Sequence, residues 1–112
     1  MNNKKILLKK PSKIDNPKIK LLTNKGIITI CYPKEFGKIE KWVHDRIGGP
    51  DIVKRPLDKY TTLIWNLCDE KHTVKDIIHE LDSKFGEEIA PADKRVQLFL
   101  KKLLELNLIR LK

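Results

Sequence analysis

The chain has 112 residues, the size of one domain that can bury a core without disulfides or a metal. Its formal charge is +9, yet residues 1–20 hold seven lysines and a single aspartate, so most of the basicity is a tail and not a nucleic-acid-binding face. Cys31 and Cys68 imply no disulfide framework, and His44, His72 and His79 make no metal-ligand spacing with them or with one another, so no metal or other cofactor is expected.

The first apolar run, Ile6-Leu7-Leu8, is too short for a signal-peptide core or a membrane span, and two cysteines placed in apolar patterns suit a reducing compartment. A cytoplasmic protein is expected. Residues 1–17, with Pro11, Ser12, Asn16 and Pro17 among lysines, read as a flexible basic arm in which Ile6 to Leu8 has the length of one short strand. Residues 18–112 read as a single domain.

From Lys18 the pattern changes. Ile19 to Thr23 and Ile27 to Tyr32 are β-rich runs around Asn24-Lys25-Gly26, a hairpin closed by Pro33. Between Lys34 and Gly48, Phe36, Ile39, Val43 and Ile47 recur at helical intervals, predicting a short amphipathic helix stopped by Gly48-Gly49-Pro50. Asp51 to Pro56 then reads as a third strand at a sheet edge, with Lys54, Arg55 and Pro56 guarding its free side.

Three helical stripes follow. The first, near 58–69, places Leu57, Tyr60, Thr61, Ile64, Leu67 and Cys68 on one face, with Asp58 as N-cap and Trp65 on the flank. The second, near 73–85, opens with the capping box Thr73-Val74-Lys75-Asp76, carries Val74, Ile77, Ile78, Leu81 and Phe85, and stops at Gly86. The third, near 91–106, starts at Pro91, turns Val96, Phe99, Leu100 and Leu103 inward, and ends at Asn107, a residue tolerant of the left-handed region. Leu108 to Leu111 has room for one short strand. The order predicts an α+β domain of winged-helix type, an N-terminal three-stranded antiparallel sheet packed on three C-terminal helices.

Catalysis is not expected, because the chain has no glycine-rich phosphate loop, no paired histidines and no nucleophile elbow. Asp69-Glu70 and Glu87-Glu88 fall in inter-helix loops, where solvated acids are usual; His72 is expected to line a turn and His79 to be exposed. The third helix offers a binding surface instead. With its inward positions spoken for, Leu98 points away from the core among Lys94, Lys101 and Lys102, with Leu104 on a flank. On spacing alone Leu98 is a plain surface leucine or the wall of a groove. In the second case an extended peptide would pair with the edge strand Ile52, Val53, Lys54 and Arg55 and pack toward Leu98 and Leu104.

Leu57-Asp58, Ile64-Trp65-Asn66-Leu67, Asp69, Thr73 to Ile77, Leu81, Phe85 and Val96 to Leu100 together resemble the PqqD-like proteins, small winged-helix domains also called RiPP recognition elements. The likeness spans roughly residues 18–112. It implies a non-catalytic protein that binds the leader of a ribosomally made precursor peptide between the third strand and the third helix. It also implies presentation to a modifying enzyme, often a radical S-adenosylmethionine protein. Where family members commonly have glycine after the position of Asp69, this chain has Glu70-Lys71-His72. The segment from Lys34 to Pro50 is longer than in the smallest members.

The rival reading is a winged-helix DNA-binding regulator, since the second and third helices with their loop resemble a helix-turn-helix. Glu87, Glu88 and Asp93 oppose it by placing negative charge at the start of the would-be recognition helix, and too few residues follow Asn107 for a C-terminal wing.

Overall fold

A computed structural model describes residues 4–34 and 52–112. The amphipathic helix expected from Lys34 to Gly48 and the Gly-Gly-Pro stop after it lie outside the described residues, apart from Lys34 itself. The elements run α1 (Lys4–Leu7), β1 (Pro11–Lys13), β2 (Lys20–Asn24), β3 (Ile27–Pro33), β4 (Ile52–Pro56), α2 (Lys59–Leu67), α3 (Val74–Phe85), α4 (Ala92–Glu105) and β5 (Ile109–Leu111). A 3-10 turn, Gly86–Ile89, links α3 to α4. This is the expected α+β architecture, with an antiparallel sheet in the order β2-β3-β4 and three long helices after it.

The hairpin closes on Lys25 (φ 53°) and Gly26 (φ 80°), a two-residue turn in which both residues are left-handed and the twist matches that of the strands. Along β3, Ile28, Ile30 and Tyr32 alternate onto the core face and are buried. Both expected caps form: Asp58 accepts from Thr61 while the Thr61 hydroxyl accepts from the Asp58 N–H, and Thr73 and Asp76 do the same at α3. Gly86 (φ 54°) ends α3, and Asn107 (φ 57°) ends α4 in the left-handed region.

The core gathers Ile64, Trp65 and Cys68 of α2 and its C-cap, Val74, Ile77 and Leu81 of α3, and Val96, Leu100 and Leu103 of α4 against β3. Burying each large apolar side chain contributes ~1.5–3 kcal/mol. The buried face of α2 is rotated from the expected one. Thr62 and Trp65 are buried, whereas Tyr60, Thr61 and Leu67 are half-buried. Trp65, expected on a flank, is only 2% exposed.

Thr62 is held under the sheet by the Ile28 N–H, and Trp65 is covered in part by the segment expected to be an arm. Pro11–Lys13 forms β1, which pairs antiparallel with β5 (Pro11 opposite Leu111, Lys13 opposite Ile109), and Pro11 and Ser12 are buried. The Val74 N–H donates to the Lys9 carbonyl at 2.9 Å. Lys13 lies over the Trp65 ring, 5.4 Å from its centroid, and donates to the Cys68 carbonyl at 3.0 Å. Desolvation there lowers the Lys13 pKa. Ile6 and Leu7 sit in the single turn of α1 and not in a strand.

The loop acids are tied down as well. Glu88 accepts from the Tyr60 hydroxyl at 2.8 Å and pairs with Lys59 at 3.1 Å, while Tyr60 meets Phe85 edge-on at 4.7 Å between centroids. Glu70 pairs with Lys112 and accepts from Ser12. Burial pushes the Cys68 thiol up to about 12, so this cysteine is a packed apolar group whose Sγ–H points to the Ile64 carbonyl. Cys31 is buried and free too. His79 is exposed.

Candidate functional site

Among the described residues, strand β4 is one of the two outer strands of its sheet, and no described strand pairs with the far side of its backbone. Antiparallel ladders use alternate residues for each neighbour. The Ile28 carbonyl accepts from the Leu57 N–H at 2.9 Å, which shows that Ile28, Ile30 and Tyr32 turn their backbone groups toward β4. Their partners Val53 and Arg55 are therefore bonded inward, and the N–H and C=O groups of Ile52 and Lys54 face the open edge. Pro56 has no N–H and limits that edge at its end. The side chains follow the same division: Ile52 and Lys54 are exposed, Val53 packs against the core, and Arg55 donates to the Tyr32 hydroxyl at 3.0 Å.

Two residues beyond β4, Asp58 begins the wall of a cavity of about 360 Å³. Its lining comes from Asp58, Tyr60, Thr61 and Ile64 at the start of α2, Ile89 of the 3-10 turn, and Arg95, Leu98, Phe99 and Lys102 of α4. The last four are spaced by three and four residues and so form one stripe along that helix. The floor is apolar and the rim carries two cations. Burial opposes the charge on Asp58, but hydrogen bonds from Thr61 outweigh it and lower the pKa, and this carboxylate caps α2. Among the described residues neither Arg95 nor Lys102 is held in an ion pair.

Of the residues expected to bind peptide, the cavity brings together Leu98, which is 71% exposed, and Lys102. Lys94 and Lys101 are exposed on α4 but do not line it, and Leu104 is half-buried against the core. Ile52 to Arg55 lie on the strand that leads into it. Sequence reasoning passed over Arg95 and Ile89 and counted Tyr60, Thr61, Ile64 and Phe99 as parts of inward faces alone. The signal was present in the stripe 95-98-99-102, but only a folded α2 shows which flank of Leu98 has a facing wall. Among the described residues no group of three or more His, Cys, Asp or Glu could hold a metal, and no helix is long and apolar enough to cross a membrane.

An apolar cavity thus follows closely, along the chain, a strand at the margin of the sheet in a small α+β domain. Residues 56–109 match the family model described as coenzyme PQQ synthesis protein D (PqqD), and over that stretch, from the end of β4 to the start of β5, the chain is PqqD-like. PqqD is one of the RiPP recognition element families, and the match supports a peptide-binding, chaperone-type role. Comparison with curated proteins and with solved structures gave no match.

Proposed function

We propose that this protein captures the leader segment of a ribosomally synthesised precursor peptide and presents it to a modifying enzyme, a radical S-adenosylmethionine protein, in the cytoplasm. It contributes no catalytic group. The observation that carries this reading is the adjacency in the chain of the open β4 edge and the cavity that begins at Asp58. The peptide backbone pairs with the outward groups of Ile52 and Lys54, which is tolerant of peptide sequence. An apolar peptide side chain enters the cavity against Leu98, Phe99 and Ile64, and a neighbouring acid meets Arg95 or Lys102. Each aliphatic side chain buried there adds ~1.5–3 kcal/mol, which is where discrimination arises. Once held, the rest of the precursor reaches the enzyme at raised effective concentration.

The test is a titration of a labelled candidate precursor peptide, taken from any short reading frame found beside the gene, against wild type, Leu98→Glu, Lys102→Glu and Lys54→Pro. Affinity is expected to fall by roughly tenfold or more in each variant, the equivalent of about 1.4 kcal/mol. Unchanged affinity in all three would remove the site. Tighter binding to duplex DNA than to peptide would return the protein to the regulator class, against the negative charge of Glu87 and Asp93 around the start of α4.

A further inference from the structure

Among the described residues the sheet has a second edge without a strand partner, along β2, at the opposite side from β4. The Ile28 N–H donates to Thr62 Oγ1 and its carbonyl accepts from Leu57, so Thr23, which stands opposite Ile28, has no ladder bond on that side. By alternation the N–H and C=O groups of Leu21 and Thr23 point outward, while Lys20, Leu22 and Asn24 hold β2 to β3. All five β2 residues are exposed, including Leu21 at 46% and Leu22 at 53%, and these two leucines lie on opposite faces of the strand.

We propose that the β2 edge, with Leu21 and Leu22 between lysines, docks an acidic edge strand of a partner protein. From Asn16 to Lys34 the chain has lysines at 18, 20, 25 and 34 and no acid. Lysines on an edge oppose pairing with another basic strand, a second copy of this +9 chain included, and leave pairing with an acidic one open. Edge protection accounts for Lys20 and Lys25 but not for two exposed leucines beside them. A strand added at β2 covers both leucines and places glutamates or aspartates against the lysines. A peptide on β4 and a partner strand on β2 would then extend one sheet, about 19 Å apart at the usual spacing of strands. Taking that partner as the enzyme that receives the peptide rests on the function proposed above; the docking edge itself does not.

The probe is a labelled, end-blocked peptide of alternating glutamate and valine, titrated against the full chain by fluorescence anisotropy, with lysine in place of glutamate as control. Saturable binding of the acidic peptide is expected, weakened by salt and roughly tenfold weaker in Thr23→Pro, which removes one outward N–H and leaves the ladder to β3. Lys20→Glu, an exposed change that touches no ladder bond, is expected to weaken it as well. Lys54→Pro, the equivalent change on β4, is expected to leave it unaltered while reducing precursor binding, so the two edges fail separately. No saturable binding to wild type, equal binding in Thr23→Pro and Lys20→Glu, or loss in Lys54→Pro alone would overturn the proposal. A dimer seen by sedimentation of the protein alone and abolished by Thr23→Pro would do so too, giving the edge to a second copy.

Discussion

The backbone N–H of Ile28 donates to the hydroxyl of Thr62 at 3.2 Å, and both residues are buried. One side chain of α2 thereby satisfies a backbone donor of β3 and fixes the sheet against that helix. Thr62→Val keeps the shape and leaves the donor unmet, which is expected to cost about 1–3 kcal/mol. Urea denaturation checks this, and Thr62→Ser, which restores the hydroxyl, is expected to recover most of the loss.

Leu98 and Leu100 lie two positions apart on α4 at 71% and 0% exposure. Leu100→Ala removes packed methyl groups from the core and is expected to cost about 2–5 kcal/mol, as is Ile77→Ala. Leu98→Ala is expected to cost less than about 0.5 kcal/mol while weakening peptide binding. A stability loss at Leu98 comparable to that at Leu100 would place its side chain in the core and take away the cavity wall.

Glu70 adopts φ 69°, in the loop between α2 and α3. A Cβ in that region costs about 1–2 kcal/mol, offset here by the contacts of the carboxylate with Ser12 and Lys112. Glu70→Ala and Glu70→Gly lose the same contacts, but only alanine keeps the Cβ. The glycine variant is therefore expected to be the more stable by about 1 kcal/mol in thermal or chemical unfolding. Equal stability of the two would show that the backbone is not strained there.

Partial burial opposes the charge on Asp69, but the His72 ring at 2.9 Å and the N–H groups of Lys71 and His72 outweigh it and hold its carboxyl at about 2, against an ordinary 3.8. A carboxyl whose folded pKa is depressed binds fewer protons folded than unfolded. Its contribution to stability is complete above the unfolded value and is lost as pH falls from about 4 through about 2. Unfolding free energies measured from pH 6 to pH 2 are expected to fall less steeply in that window for Asp69→Asn than for wild type. Parallel curves would show that the Asp69–His72 contact is unimportant to the fold.

The bounds of the β2–β3 hairpin, of β4 and of the three long helices, the N-cap at Asp58, the capping box at Thr73, and the stops at Gly86 and Asn107 were legible in the amino-acid sequence, because capping, positive φ and the two hydrophobic periods are set by chemistry within about four residues. The same local character made Leu98 visible as the position left over once the inward face of its helix was counted. Only the tertiary structure decided which remote segments meet. Pro11 pairs with Leu111, nearly the full chain length away, which turns part of an apparent basic arm into a strand and sets Lys13 over Trp65. Cavity partners are of the same kind: Arg95 and Lys94 are neighbours of equal charge, and the start of α2 stands against the flank that carries Arg95. Register between distant strands and the facing of two helices depend on how whole elements pack, and no periodicity within either one records that choice.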